Sequence, residues 1–146
     1  MKLFIAAAYS AHVDYETGEV AAEYKAWLED VLTNLEALGH QVFCALRADQ
    51  YKINNADPAA AFKLDIANIE QSDALIALLG DTLSAGVQLE IGVAVALKKQ
   101  ILFAHSPEYK LAYYNAAMLQ AGVAREIALP ITSAELKAAL ENKPSA

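Results

Sequence analysis

A glutamate stands one turn into a helix that opens on a glycine-containing turn, and chemistry is first legible there. The apolar run Ala74–Leu79 leads into Gly80-Asp81-Thr82-Leu83-Ser84-Ala85-Gly86, and a helical pattern over Gly86–Lys98 follows directly. Backbone N–H groups at such a helix start, together with the Ser84 hydroxyl, form a ready anion site. Glu90, between Leu89 and Ile91, faces either the cleft beyond the strand or the covering water; in the second case it only complements the helix dipole. Gly86 and Gly92 bracket it, and a glycine inside a helix costs stability, so Gly92 predicts close approach of another backbone or a ligand. Asp65 precedes Asp73 by eight residues on a helix expected to turn Leu64, Ile66 and Ile69 inward. It is either a second carboxyl group for the cleft or a solvated charge near Lys63. Asp73, after Ser72, is either a site residue or a cap on the turn into the next strand. Arg47-Ala48-Asp49-Gln50-Tyr51-Lys52 follows another apolar run and is rich in hydrogen-bonding groups, as functional loops and plain surface loops both are.

Other chemistries find less support. His12, His40 and His105 are far apart and have no histidine or cysteine at ligand spacing, so no metal site is expected. His40, following Gly39 in a turn, reads as solvated. There is no Walker lysine motif, no G-x-G-x-x-G after the first apolar run and no G-x-S-x-G elbow, which counts against nucleotide cofactors and serine hydrolysis. No cofactor is expected.

The elements that must position these residues alternate regularly. Lys2–Ala8, Gln41–Leu46, Ala74–Leu79, Gln100–Ala104 and Arg125–Leu129 are apolar runs of strand length. Helical patterns fill Val20–Leu38, Pro58–Gln71, Gly86–Lys98 and Pro107–Ala121, and Ser133–Leu140 closes the chain. Gly39 ends the first helix, Asp57-Pro58 begins the second, and Ser133 begins the last. Such alternation predicts an α/β fold, a single-domain flavodoxin- or Rossmann-like five-stranded parallel sheet with helices on both faces. Residues 1–141 form the domain, and 142–146 read as a loose tail. Ligands of such sheets bind beyond the carboxyl ends of the strands, which gathers Tyr9–Thr17, Arg47–Asn55, Gly80–Glu90 and His105–Tyr109 around one cleft.

Composition narrows the partners. The formal net charge of the 146 residues is −7, with scattered basic residues, so a nucleic-acid polymer would be repelled while a small anion is still admissible. No apolar run reaches the about 18–20 residues that span a bilayer, and no membrane partner is expected. Lys2 and the short run after it read as a strand, not a signal peptide. The single cysteine, Cys44, has no partner for an intrachain disulfide, which suits the cytoplasm.

From Lys2 to about Gly122 the chain resembles the nucleoside 2-deoxyribosyltransferase superfamily. The most specific part is S-x-G-V-x-x-E-I-G-x-A-x-A-L-x-K, Ser84 through Lys99, after the S-D-A-L-I-A-L strand that contains Asp73. The resemblance implies Glu90 as nucleophile, Asp65 as a further site residue, Tyr9 as the aromatic residue after the first strand, and Gln50 as the residue that meets the nucleobase. The superfamily includes hydrolases of nucleoside 5′-monophosphates. Val13-Asp14-Tyr15-Glu16-Thr17-Gly18 resembles the first loop of its CMP hydrolases, but Ser10 stands where those carry arginine. Ser84 matches a serine that contacts the 5′-phosphate in deoxynucleotide glycosidases. Members assemble as dimers or larger oligomers whose subunits complete one another's sites, and Asn115 and Met118 resemble the donated segment.

The implied chemistry is coherent on physical grounds. Cleavage of an N-glycosidic bond passes through a cation-like sugar, which a carboxylate below C1′ stabilises and can trap as a glycosyl ester. A second acid must protonate the leaving base, and Asp65 suits that role if an apolar site keeps it protonated. Tyr9 is expected to hold the nucleophile by a hydrogen bond. The expected activity is transfer of a (deoxy)ribosyl group between bases. The alternatives are a 5′-monophosphate N-glycosidase and, more distantly, a non-catalytic nucleotide-binding sensor, since a fold alone does not imply catalysis.

Overall fold

Five short runs rich in branched and aromatic side chains pair as strands: β1 (Lys2–Ala7), β2 (Gln41–Phe43), β3 (Ala74–Leu78), β4 (Gln100–His105) and β5 (Arg125–Ala128). The structure is a computed structural model that describes residues 1–53, 57–80 and 82–141. The expected tail 142–146, Asp81 of the turn after β3, and Asn54 and Asn55 of the loop after the second strand lie outside the described residues. All four strand pairings are parallel, in the order β2-β1-β3-β4-β5. Parallel neighbours need crossovers, and helices supply them: α1 (Ala22–Ala37), α2 (Ala45–Ala48), α3 (Pro58–Gln71), α4 (Ala85–Ala96), α5 (Tyr113–Gln120) and α6 (Ser133–Glu141).

Every residue of β3 is buried, as a central strand covered on both faces requires. On one face Leu28, Leu32 and Leu35 of α1 and Leu136 and Leu140 of α6 pack on Leu3, Ile5, Ile76 and Leu102. On the other, Ile69 of α3, Val87, Ile91 and Ala94 of α4, and Met118 and Leu119 of α5 pack on Phe4, Leu75 and Phe103. Among the described residues no helix is long and apolar enough to cross a membrane.

The α/β fold and its five strands are as expected; several boundaries differ for local reasons. β2 stops at Phe43 instead of Leu46, because Ala45–Ala48 coils into α2 and thereby buries Leu46. α1 begins at Ala22, since Val20 is held by an isolated bridge to Val13 and is buried. The fifth helix begins at Tyr113 instead of Pro107; the preceding segment turns at Ser106, whose carbonyl accepts from the Tyr109 N–H at 3.1 Å. Thr132, not Ser133, caps α6, with Oγ1 accepting from the Glu135 N–H and 2.7 Å from its carboxylate. Asp57 caps α3 by accepting from the Ala60 N–H at 2.9 Å, with Pro58 following as the sequence requires.

β1 and β3 lie side by side, but the chain leaves β1 towards β2 and leaves β3 towards β4. The two connections diverge, and the crevice between them at the carboxyl edge is where such sheets bind ligands.

Candidate active site

A cleft of about 160 Å³ occupies that crevice. Ala7 and Tyr9 reach it from the end of β1, Ala45, Leu46 and Asp49 from α2 and its cap, and Ile53 from the loop beyond. α3 enters with its amino-terminal half: Pro58, Ala61 and Asp65 recur at three and four and share one helical face. α4 contributes Gly86, Val87 and Glu90 by the same spacing, with Ser84 as its cap. Ser84 Oγ accepts from the Val87 N–H at 3.4 Å, so its own hydroxyl proton is free to be donated. Larger grooves lie elsewhere, one beside Trp27 and one beside His40, but neither joins two carboxyl groups to a helix start.

Electrostatics set this cleft apart. Burial pushes the Glu90 carboxyl up to about 8, and the charge of Asp65 adds to the shift. Burial likewise raises Asp65 to about 6, with Asp49 adding to it. Among the described lining residues there is no lysine, arginine or histidine, so no cation pulls either value back down. Between about pH 6 and pH 8 the Glu90–Asp65 pair therefore holds one proton between them. Cys44 lies close enough for Glu90 to influence it, and burial pushes its thiol up to about 11.

The structure brings Tyr9, Asp65, Ser84, Gly86 and Glu90 together, and separates other residues expected at the site. No hydrogen bond joins Tyr9 to Glu90. Arg47 is turned away: its guanidinium meets Glu29 in a bidentate pair at 3.0 and 2.8 Å and Glu36 at 2.5 Å. Asp73 sits at the opposite end of the sheet, where Oδ2 accepts from the Lys2 N–H at 2.7 Å, the strand-start role open to it in the sequence. Ser10 is exposed, and its carbonyl accepts from the Tyr15 hydroxyl. Gln50 is exposed in a left-handed conformation, and its neighbour Asp49 lines the cleft instead.

Asn115 and Met118 are engaged within their own chain. Asn115 is buried and donates to Gln88 Oε1 at 3.2 Å, while Met118 packs on the core. A Cβ added at Gly92 would meet nothing within 4 Å, so no close approach occurs within the chain. His40 is not freely solvated: its Nδ1 is buried without a partner among the described residues, and burial lowers its pKa. The Val13–Gly18 segment folds back beside the cleft. The Gly18 carbonyl accepts from the Ile53 N–H at 2.8 Å, and an added Cβ at Gly18 would lie 2.8 Å from the Ile53 oxygen, so only glycine fits. Sequence reasoning missed Asp49 as a lining residue; its only signal was its place in a polar loop after a strand.

Residues 17–138 match the family model for nucleoside 2-deoxyribosyltransferase. Among solved structures, the chain is similar to the CMP N-glycosidase BcmB of Clostridium botulinum, with 26% identity, 97% of this chain and 98% of that chain covered, and a TM-score of 0.65. The 2-deoxyribosyltransferase of Bacillus psychrosaccharolyticus matches over 100% of both chains at 18% identity and a TM-score of 0.64. BlsM matches with 20% identity, 95% of this chain and 88% of that chain covered, and a TM-score of 0.74. The last two likenesses are of fold alone. A search of curated proteins gives no match.

The buried carboxyl has a consequence for stability that needs no substrate. Its folded pKa, about 8, lies above the ordinary 4.5, so the folded state binds this proton more tightly than the unfolded chain does. That contribution is complete below pH 4.5 and is lost as pH rises through 8. Glu90→Gln cannot lose it. In denaturant unfolding, the variant should match the parent near pH 4.5 and exceed it by on the order of 3 kcal/mol at pH 8. Equal stabilities at both pH values would contradict the burial of this group.

Proposed function

The chain belongs to the nucleoside 2-deoxyribosyltransferase family, and from its paired carboxyl groups we propose that it transfers the (deoxy)ribosyl group of a nucleoside to another base through a covalent ester on Glu90. The observation that carries this reading is the meeting of Glu90 and Asp65 in one cleft, where burial raises the pKa of both carboxyl groups. In the productive arrangement Glu90 is ionised below C1′ and Asp65 holds the proton. The C1′–N bond breaks as the Asp65 proton passes to the departing base, and Glu90 closes the C1′–O ester. An incoming base then attacks C1′, its N–H proton returns to Asp65, and Glu90 leaves as carboxylate. Tyr9 and the Ser84 hydroxyl, with the Gly86 turn, hold the sugar. In the empty site the proton rests on Glu90, the more basic group, so substrate binding must transfer it to Asp65.

A neutral nucleoside is favoured over a 5′-monophosphate because the described lining offers Asp49, Asp65 and Glu90 and no cation to balance a phosphate. The second reading, a monophosphate N-glycosidase, draws support from Ser84 at the start of α4 and from the 26% identity to a CMP N-glycosidase.

We further propose that the protein is a homo-oligomer that completes its sites across an interface. α4 leaves Leu89, Val95 and Leu97 exposed, and Tyr113 and Tyr114 of α5 are 81% and 77% exposed. Exposed apolar side chains of this size are what an interface between subunits would cover. With Asn115 and Met118 engaged in their own chain, the tyrosines are the residues free to reach a neighbour.

One substrate panel tests the reaction. A deoxynucleoside supplied with a second base should exchange its base, and Glu90→Ala should lower that turnover by at least about 1000-fold, the loss of roughly 4 kcal/mol of transition-state stabilisation. Release of base from the 5′-monophosphate alone, with Ser84→Ala raising KM more than it lowers kcat, would establish the hydrolase instead. Near-parental turnover in Glu90→Ala would refute both. Assembly is read by sedimentation velocity: the parent should sediment as a dimer or larger and Leu89→Arg as a monomer, whereas a monomeric parent would contradict the interface.

A further inference from the structure

We propose that Asp49 selects the nucleobase, by accepting a hydrogen bond from an exocyclic amine, so that amino bases such as adenine and cytosine are preferred to their oxo counterparts hypoxanthine and uracil. This rests on the nucleoside reading above.

The cleft has few polar side chains to divide among the parts of a nucleoside. Tyr9, Ser84 and Glu90 belong to the sugar end and Asp65 to the ring nitrogen that is protonated. The wall beyond them is apolar, formed by Leu46, Ile53 and Ala61 among others, and suits a flat ring. Asp49 is the polar side chain left over on it. Its carboxylate has no hydrogen-bond or ion-pair partner among the described residues, although Arg47 stands two positions away. That arginine is held by Glu29 and Glu36, and Lys52 lies 4.0 Å from Glu19. An acid left unpaired between two basic residues, both turned to other acids, is available to a ligand.

The backbone around Asp49 is held in an uncommon shape. Gln50 and Tyr51 both adopt left-handed conformations, with φ of 56° and 59°. Side-chain-bearing residues pay in stability for that region, and two in succession persist only where the surroundings enforce them. Here the Tyr51 hydroxyl donates to Glu29, the acid that also receives Arg47, and the Tyr51 ring is buried against α1. The consequence is directional: Tyr51 turns into the core, Gln50 turns to solvent, and Asp49, capping α2, lines the cleft.

An ionised carboxylate accepts hydrogen bonds and donates none. An amine beside the protonated ring nitrogen gives it a donor; a carbonyl in that place gives it a second lone pair and no proton. Asp49 is exposed at the cleft until a base covers it, and a base that covers the carboxylate without offering it a donor forfeits affinity.

Two measurements on the full chain separate this inference from the reaction it rests on. The first is calorimetric binding of adenine and of hypoxanthine to the parent and to Asp49→Asn, a near-isosteric change whose amide presents either a donor or an acceptor. The parent should bind adenine at least about tenfold more tightly, and the ratio should fall towards one in the variant, with hypoxanthine binding improved. The second is kcat/KM for deoxyadenosine against deoxyinosine, where the same ratio and the same collapse are expected. Release of base with equal preference in parent and variant would overturn the role of Asp49 and leave the reaction standing. Binding preference without any base release would overturn the reaction and leave Asp49 standing. If Asp49→Asn does not fold, shown by loss of its unfolding transition, Asp49→Ala is used in its place. It should lose adenine affinity and leave hypoxanthine affinity unchanged or higher; equal losses for both bases would overturn the proposal.

Discussion

A carboxyl group withdrawn from water next to another carboxyl group cannot ionise at its ordinary pH, and the cleft at the carboxyl edge of the sheet is organised by that constraint. Two such groups without a cation between them must share protons. Glu90 and Asp65 are placed in this relation by two helices that enter from neighbouring crossovers on the same face of the sheet. Neither helix has another acid on the face it turns to the cleft, and the further charge felt by Asp65 comes from Asp49 at the end of α2.

The scaffold makes the arrangement cheap to hold. β1 and β3 are fixed in register over five residues, from Leu3 opposite Ala74 to Ala7 opposite Leu78, so the residues that follow them emerge side by side. Glu90 is anchored by Val87 and Ile91 of its own helix, both buried on the sheet. The opposite wall has a different support. α2 is a single turn and too short to be stable alone, and the network of Arg47, Glu29, Glu36 and Tyr51 ties it to α1. Pairing with Arg47 lowers the Glu29 pKa, which keeps that acid charged and the network closed.

Much of this was legible in the residues. The apolar runs ALIAL and QILFAH carry enough buried side chains to identify central strands, and Asp57-Pro58 marks a helix start without ambiguity. Glu90 and Ser84 were recoverable because a strand, a turn and a helix start follow one another within a few residues. Arg47 was not: its partners Glu29 and Glu36 lie 18 and 11 residues earlier, and nothing local shows that a loop arginine is already occupied. Asp49 and Gln50 were interchangeable in the sequence, since only the two left-handed residues decide which one faces the cleft. Asp73 illustrates the opposite case, in which a suggestive residue type has a plain structural setting, because it caps a strand start.

The account turns on the proton shared by Glu90 and Asp65, and the pH dependence of kcat/KM on a deoxynucleoside reports it directly. In the proposed reaction, below about pH 6 both groups are protonated and no nucleophile remains, and above about pH 8 both are ionised and no acid remains. The profile should be bell-shaped, with limbs near 6 and near 8, and the limbs should describe the pair instead of either residue alone. A rate that levels off above pH 5 and stays flat to pH 9 would mean that the two carboxyl groups titrate as ordinary, independent acids, and would contradict the account.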